Sequence, residues 1–175
     1  MNALRALYIL IAGMVGWPAC ASELKLATWN LNWLTVREPG SPGLPADLKL
    51  RSAEDFDRLR AYALELDADV VAIQEVDGYD AARLVFPREH YVLHMSHDRM
   101  SQRVGVAVRR GLRHDVNPEV PLPSATDPTT RLRSGVDITL SVDGTPLRLL
   151  AVHLKQGCMN PKLDRGGGRD CQLLH

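Results

Sequence analysis

The segment Asp67–Val76, read as DADVVAIQEV, places an unbroken apolar run, Val70 to Ile73, directly against Gln74 and Glu75. A strand without polar alternation is usually covered on both faces. The chain must therefore supply layers on either side of this segment, which points to an α/β arrangement rather than a sheet with one wet face. An ionised carboxylate at the end of such a strand costs several kcal/mol to desolvate unless it is paired or bound to a cation. Glu75 is thus either a metal ligand or half of a structural ion pair with an arginine. Carboxylate and amide oxygens suit magnesium, which is usually held by one or two carboxylates plus substrate phosphate.

The flanking pattern supports this layering. Leu24 to Asn30 alternates in the manner of a strand and ends on Asn30, between Trp29 and the Leu31-Asn32-Trp33 stretch. A loop rich in Pro39, Gly40, Pro42, Gly43 and Pro45 follows. Ser52 is placed to cap a helix whose stripe is Phe56, Leu59, Ala63 and Leu66, with Glu54 and Asp55 in its first turn. After the Val70 strand, a short helix is expected over Asp80 to Phe86, with strands at Tyr91–Met95 and Val104–Arg110. Residues Val136–Val142 alternate, Asp143-Gly144 offers a hairpin turn, and the return strand LRLLAVHL, expected to be largely buried, reaches His153. Strand, helix, strand and then a meander, with polar residues at strand ends, is the order in which many α/β folds build their sites.

Taken singly, the candidate residues are ambiguous. Asn30 could orient a phosphate oxygen or simply form a turn. His153 could act on a ligand or be a hydrogen-bonded core histidine, and Arg133 could be a solvated strand flank. The formal net charge of zero argues against nucleic-acid binding through bulk electrostatics, while leaving a local basic patch open.

The amino terminus carries Arg5, an apolar run from Ala6 to Val15 and the small-residue site Ala19-Cys20-Ala21. This reads as a secretory signal peptide over residues 1–21. The run is too short for a bilayer span, which takes about 20 residues. A lipid anchor at Cys20 is the alternative, and no other segment could span a membrane. The mature chain, residues 22–175, would then be secreted or periplasmic. In an oxidising compartment Cys158 and Cys171 are expected to pair, a bridge contributing about 3 kcal/mol. A zinc site from His153, Cys158, Cys171 and His175 is the competing assignment.

The segments TWNLNW, DADVVAIQEVDG, QRVGVAV and LRLLAVHLKQGC resemble, in order and spacing, the endonuclease/exonuclease/phosphatase family. The ending HLKQGC…CQLL resembles a bacterial exported subgroup. The resemblance implies a four-layer α/β/β/α sandwich and a magnesium-dependent hydrolase of phosphoester bonds, with manganese as a substitute ion. Nucleic acid is among its candidate substrates. It makes Asn30 the first-strand residue near metal and phosphate, Glu75 the metal-binding glutamate, and His153 the histidine at the scissile phosphate. Arg133, or Arg131 beside it, resembles a phosphate-contacting arginine. Where the deoxyribonuclease branch has an acidic partner for the histidine, this chain offers Gln102. The family's Gly-Asp-x-Asn and Ser-Asp-His motifs do not occur in the sequence. The expectation is therefore an amino-terminal part of the domain with little turnover by itself, or else a non-catalytic exported module that binds phosphate-rich ligands.

Overall fold

A computed structural model describes residues 23–121 and 133–154. The signal-peptide assignment, Cys20, Arg131, the cysteine pair Cys158 and Cys171, and the alternative zinc ligand His175 lie outside the described residues.

The elements follow in the order β1 (Leu26–Leu34), α1 (Ala53–Leu66), β2 (Val70–Val76), α2 (Tyr79–Val85), β3 (Tyr91–Met95), β4 (Arg103–Arg109), β5 (His114–Val116), β6 (Val136–Val142) and β7 (Thr145–Ala151). One sheet has the order β1-β2-β4-β3, and a second has the order β5-β6-β7. β1 and β2 run parallel, joined by the crossover through α1, while the other neighbours are antiparallel.

Helix α1 starts where the sequence places its cap. The Ser52 Oγ accepts from the Asp55 backbone N–H at 3.2 Å, and Asp55 returns the bond by accepting from the Ser52 N–H at 3.0 Å. This reciprocal box satisfies two otherwise orphaned donors. The helix ends at Asp67, which adopts a left-handed conformation (φ 46°). Arg109 then clamps the turn through Asp67 and Asp69.

Two apolar clusters follow from the strand faces. On one side of the four-stranded sheet, Val71, Ile73, Leu93 and Ala107 pack against Phe56 and Ala63 of α1 and Ala81, Ala82 and Val85 of α2. Trp29 lies there too, edge-on to Phe86 with ring centroids 6.3 Å apart. On the other side, Val70, Val104, Val106 and Val108 meet Val136, Ile138 and Leu140 of the second sheet. Val70 and Val71 thus face opposite layers, as the unbroken apolar run requires. The described residues form three layers, α/β/β, of the expected four-layer sandwich.

Two sequence expectations need correction. β1 does not end at Asn30 but continues through an irregularity to Leu34. The return strand is not largely buried, for β7 is an edge strand among the described residues, with Leu147 41% and Leu150 44% exposed. Apolar composition reports what a strand is able to bury; the cover comes from elsewhere in the fold.

Candidate functional site

The site is built from a break in strand register. β1 and β2 pair in register from Leu26↔Val70 to Asn30↔Gln74 and resume only at Leu34↔Val76. Against β4, Gln74 pairs with Val104 and Val76 with Arg103, so Glu75 is the extra residue of a bulge. Glu75 adopts φ 59°, and Asn32 and Trp33 across from it adopt φ 45° and 57°. A left-handed conformation costs a non-glycine residue about 1–2 kcal/mol, and bulges recur where a side chain must be re-aimed next to a site. The displacement turns Glu75 out of the alternation of β2 and toward Asn30 and His153.

Asn30 Nδ2 donates to Glu75 Oε1 at 3.0 Å, while Asn30 Oδ1 accepts from the Asn32 backbone N–H at 2.8 Å. Because a backbone N–H can only donate, this second bond fixes which end of the amide faces Glu75. His153 Nε2 lies 3.6 Å from the same Glu75 oxygen. The His153 Nδ1 is buried and has no hydrogen-bond partner among the described residues. Burial pushes the His153 pKa below the ordinary histidine value, and the nearby Arg133 cation pushes the same way, against the pull of Glu75. The imidazole is accordingly neutral near pH 7.

Arg133 stands near this group, two residues before Gly135, where a Cβ would meet Ala151 and Val152 just ahead of His153, and two contacts hold it. Its Nε donates to the Gln102 carbonyl at 3.1 Å, and an Nη bonds the Gln102 side-chain oxygen. Next to it, Ser134 is pinned by Asp98, which accepts from the Ser134 N–H at 2.8 Å and from its hydroxyl at 2.9 Å. Gln102 is therefore the partner of the arginine, and the carboxylate beside the histidine is Glu75.

Asn30, Glu75, Arg133 and His153, drawn from four distant parts of the chain, thus converge at one end of the β1–β2–β4 sheet. Sequence reading missed several supporting residues. Arg51 donates to the carbonyls of Leu31 at 2.7 Å and Asn32 at 3.1 Å, holding the irregular stretch of β1 in place. Thr35 donates to Asp77 at 2.7 Å and the Asp77 N–H bonds the Leu34 carbonyl, closing β1 onto β2 beyond the bulge. No local pattern marks these residues, although an arginine just before the Ser52 cap was a usable hint.

Among the described residues no cluster of three or more histidine, cysteine or acidic side chains forms a ready-made metal cage. The single carboxylate of Glu75 fits the sparse protein ligation magnesium accepts. Its Oε1 faces Asn30 and His153, whereas Oε2 makes no hydrogen bond or ion pair with the described residues. A larger recess of about 520 Å³ lies away from this group, along β1 and α1 between Lys25, Thr28, Trp29 and Tyr62. Its lining carries no comparable convergence of phosphate-binding and titratable groups.

The chain is similar in fold to a D. rerio TDP2 complexed with single-strand DNA product, at 18% identity with a TM-score of 0.55, over 78% of this chain and 48% of that one. It is likewise similar to a truncated Caenorhabditis elegans TDP2, at 18% identity with a TM-score of 0.52, over 77% of this chain and 47% of that one. No curated protein sequence matches it. The chain spans about half the length of these two structures. The family model for the Endonuclease/Exonuclease/phosphatase family matches residues 27–158, and the chain belongs to that family of phosphoester hydrolases.

Proposed function

We propose that this chain carries the cation- and phosphate-binding part of an exported, magnesium-dependent phosphodiesterase, with nucleic acid as the favoured substrate class and manganese as a substitute ion. The observation that carries the reading is the bulged, left-handed Glu75 facing Asn30 and His153. A strained backbone is retained where the surrounding structure over-determines it, and here it aims a carboxylate at two polar side chains.

Glu75 would hold the cation, which when bound offsets charge developing on the phosphoryl oxygens. Asn30 keeps Glu75 in position through its Nδ2 and lies beside the phosphate. Arg133, held by Gln102, offers its guanidinium to a phosphate oxygen. His153, neutral at neutral pH, is suited to donate through Nε2 to a non-bridging or leaving oxygen. With the His153 Nε2 N–H turned to the phosphate, activation of the attacking water falls to a further base outside these four, so this chain is expected to bind phosphodiesters more readily than it turns them over.

A second reading is a non-catalytic exported module for phosphate-rich ligands: one lone pair of the Asn30 oxygen is already taken by a backbone N–H, which weakens it as a cation ligand. The two readings divide on one experiment: binding and cleavage of a fluorescent single-stranded oligonucleotide, with magnesium or with chelator, by the wild type and by Glu75→Gln. The hydrolase reading expects magnesium to tighten binding and support measurable cleavage, both lost in the variant. Binding indifferent to magnesium and to Glu75→Gln would establish the module reading instead.

A further inference from the structure

Beside the Glu75 group lies a polar recess of about 360 Å³ whose lining includes Arg37, Asp77, Arg99, Ser101 and Arg103. Its charges do not cancel. Arg37 is engaged through all three nitrogens: its Nε bonds Asp77 at 2.5 Å, one Nη bonds the Pro42 carbonyl at 3.0 Å, and the other bonds Ser101 Oγ at 2.5 Å. That pairing consumes the recess's one carboxylate. Arg103 uses only its Nε, bonded to the Met100 carbonyl at 3.1 Å, and neither Arg99 nor Arg103 has a carboxylate partner among the described residues. Two guanidinium charges are thus left in surplus.

The recess is built rather than incidental. Gly78 has φ 102°, and a Cβ there would come within 3.3 Å of an Arg103 Nη. Gly43, in the lining itself, has φ 82°, and a Cβ there would reach 3.2 Å from Ser101 Oγ. The backbone is thus pared to glycine beside the Arg103 guanidinium and the Ser101 hydroxyl. The Arg37 bonds tie the proline-rich loop to the ends of β2 and β4, so the wall is fixed in place.

The position relates the recess to the Glu75 group. Gln102, which holds Arg133, lies between Ser101 and Arg103 in sequence, and Asp77 follows Glu75 by two residues on and just beyond β2.

We propose that this recess is an anion subsite that takes a second phosphate of the substrate, adjacent to the phosphate held at Glu75, Arg133 and His153. The proposal rests on the phosphodiesterase reading for the identity of the ligand, and it makes a substrate with two neighbouring phosphates the preferred one. Arg103 supplies the fixed charge and Arg99 the rim charge, each able to donate paired bonds to phosphate oxygens.

The test is equilibrium binding to the full chain in magnesium, with thymidine 3′,5′-bisphosphate and thymidine 5′-monophosphate as probes, neither of which contains a phosphodiester to cleave. Arg103→Gln keeps a hydrogen-bonding amide, and Arg99→Gln on the exposed rim serves as a second variant with no folding risk. Arg103→Gln is expected to weaken the bisphosphate about tenfold, in line with a lost bond to a charged group, with Arg99→Gln acting in the same direction. The monophosphate should be unaffected by either. In the wild type the Arg103 Nε–H resonance should shift on saturation with the bisphosphate. Equal losses for both probes, or no loss for the bisphosphate in either variant, would overturn the subsite. Failure of the hydrolase reading is seen separately, in cleavage by the wild type and Glu75→Gln, neither of which alters Arg103.

Discussion

Replacing Gly105 by alanine is expected to destabilise the protein even though alanine is the better residue for a strand interior. Gly105 lies in β4, the strand that leads from the site, opposite Ile73 of β2 and Met95 of β3. A Cβ there would overlap Met95 Sδ, sit 2.9 Å from the His94 carbonyl oxygen and 3.2 Å from Ile73 Cγ1. The thioether can rotate away, but the carbonyl belongs to the neighbouring strand and moves only if the ladder moves. Relief from glycine's entropy would favour alanine by roughly 0.5–1 kcal/mol. Overpacking a filled sheet costs about 1–3 kcal/mol. The clash prevails, leaving a net loss of about 1–2 kcal/mol, or roughly 2–8 °C in Tm for a chain of this size. Urea unfolding of wild type, Gly105→Ala, Met95→Ala and the double variant provides the assay. Removing the sulfur should make the double variant less destabilised than the sum of the singles by about 1 kcal/mol. A Gly105→Ala protein as stable as wild type, or strict additivity with Met95→Ala, would refute the packing argument.

Three further outcomes are expected. Tyr91 is buried, with its hydroxyl donating to the Ala63 carbonyl at 3.2 Å, so Tyr91→Phe should cost about 1 kcal/mol in urea unfolding with its ring packing intact. His94 and His114 join the two sheets through their Nε2 atoms, 2.8 Å apart, and the His114 Nδ1 donates to the Leu112 carbonyl at 2.8 Å. Burial first, then His114 and Arg83, hold the His94 pKa below its ordinary value. The unfolded chain therefore binds protons more readily, so this contribution is complete above the ordinary histidine range and is lost as pH falls below it. The urea midpoint should accordingly drop from pH 7 to pH 5, by less in His94→Asn. Glu75 raises the His153 pKa against burial and Arg133, so Glu75→Gln should lower it further, as read by ring NMR titration.

Much of the site's location was legible in the sequence because burial and charge conflict visibly at Glu75. An apolar run that faces two layers cannot end on a carboxylate without a reason, and the bulge supplies the geometry. Helix α1 was legible for a local reason, since its cap and stripe lie within a few residues of each other. The partner of Gln102 was not legible, because whether a glutamine faces an arginine or a histidine depends on where Ser134 is pinned by Asp98, 36 residues away. Arg51 was missed similarly, its task being set by carbonyls that only an irregular β1 exposes. The exposure of β7 escaped because Leu147 to Leu150 state a capacity for burial and not the presence of a covering layer. The Arg103 recess could not be read at all, since its surplus charge arises only after Arg37 has paired with Asp77.

The central claim is that Glu75, Asn30 and His153 form one cation and phosphate site. Paramagnetic line broadening by substoichiometric Mn²⁺, in the wild type and Glu75→Gln, tests it most directly. The account predicts selective broadening of the Asn30 side-chain amide and the His153 ring resonances in the wild type, abolished in the variant. Broadening that leaves those two residues sharp, or that persists unchanged in Glu75→Gln, would contradict it.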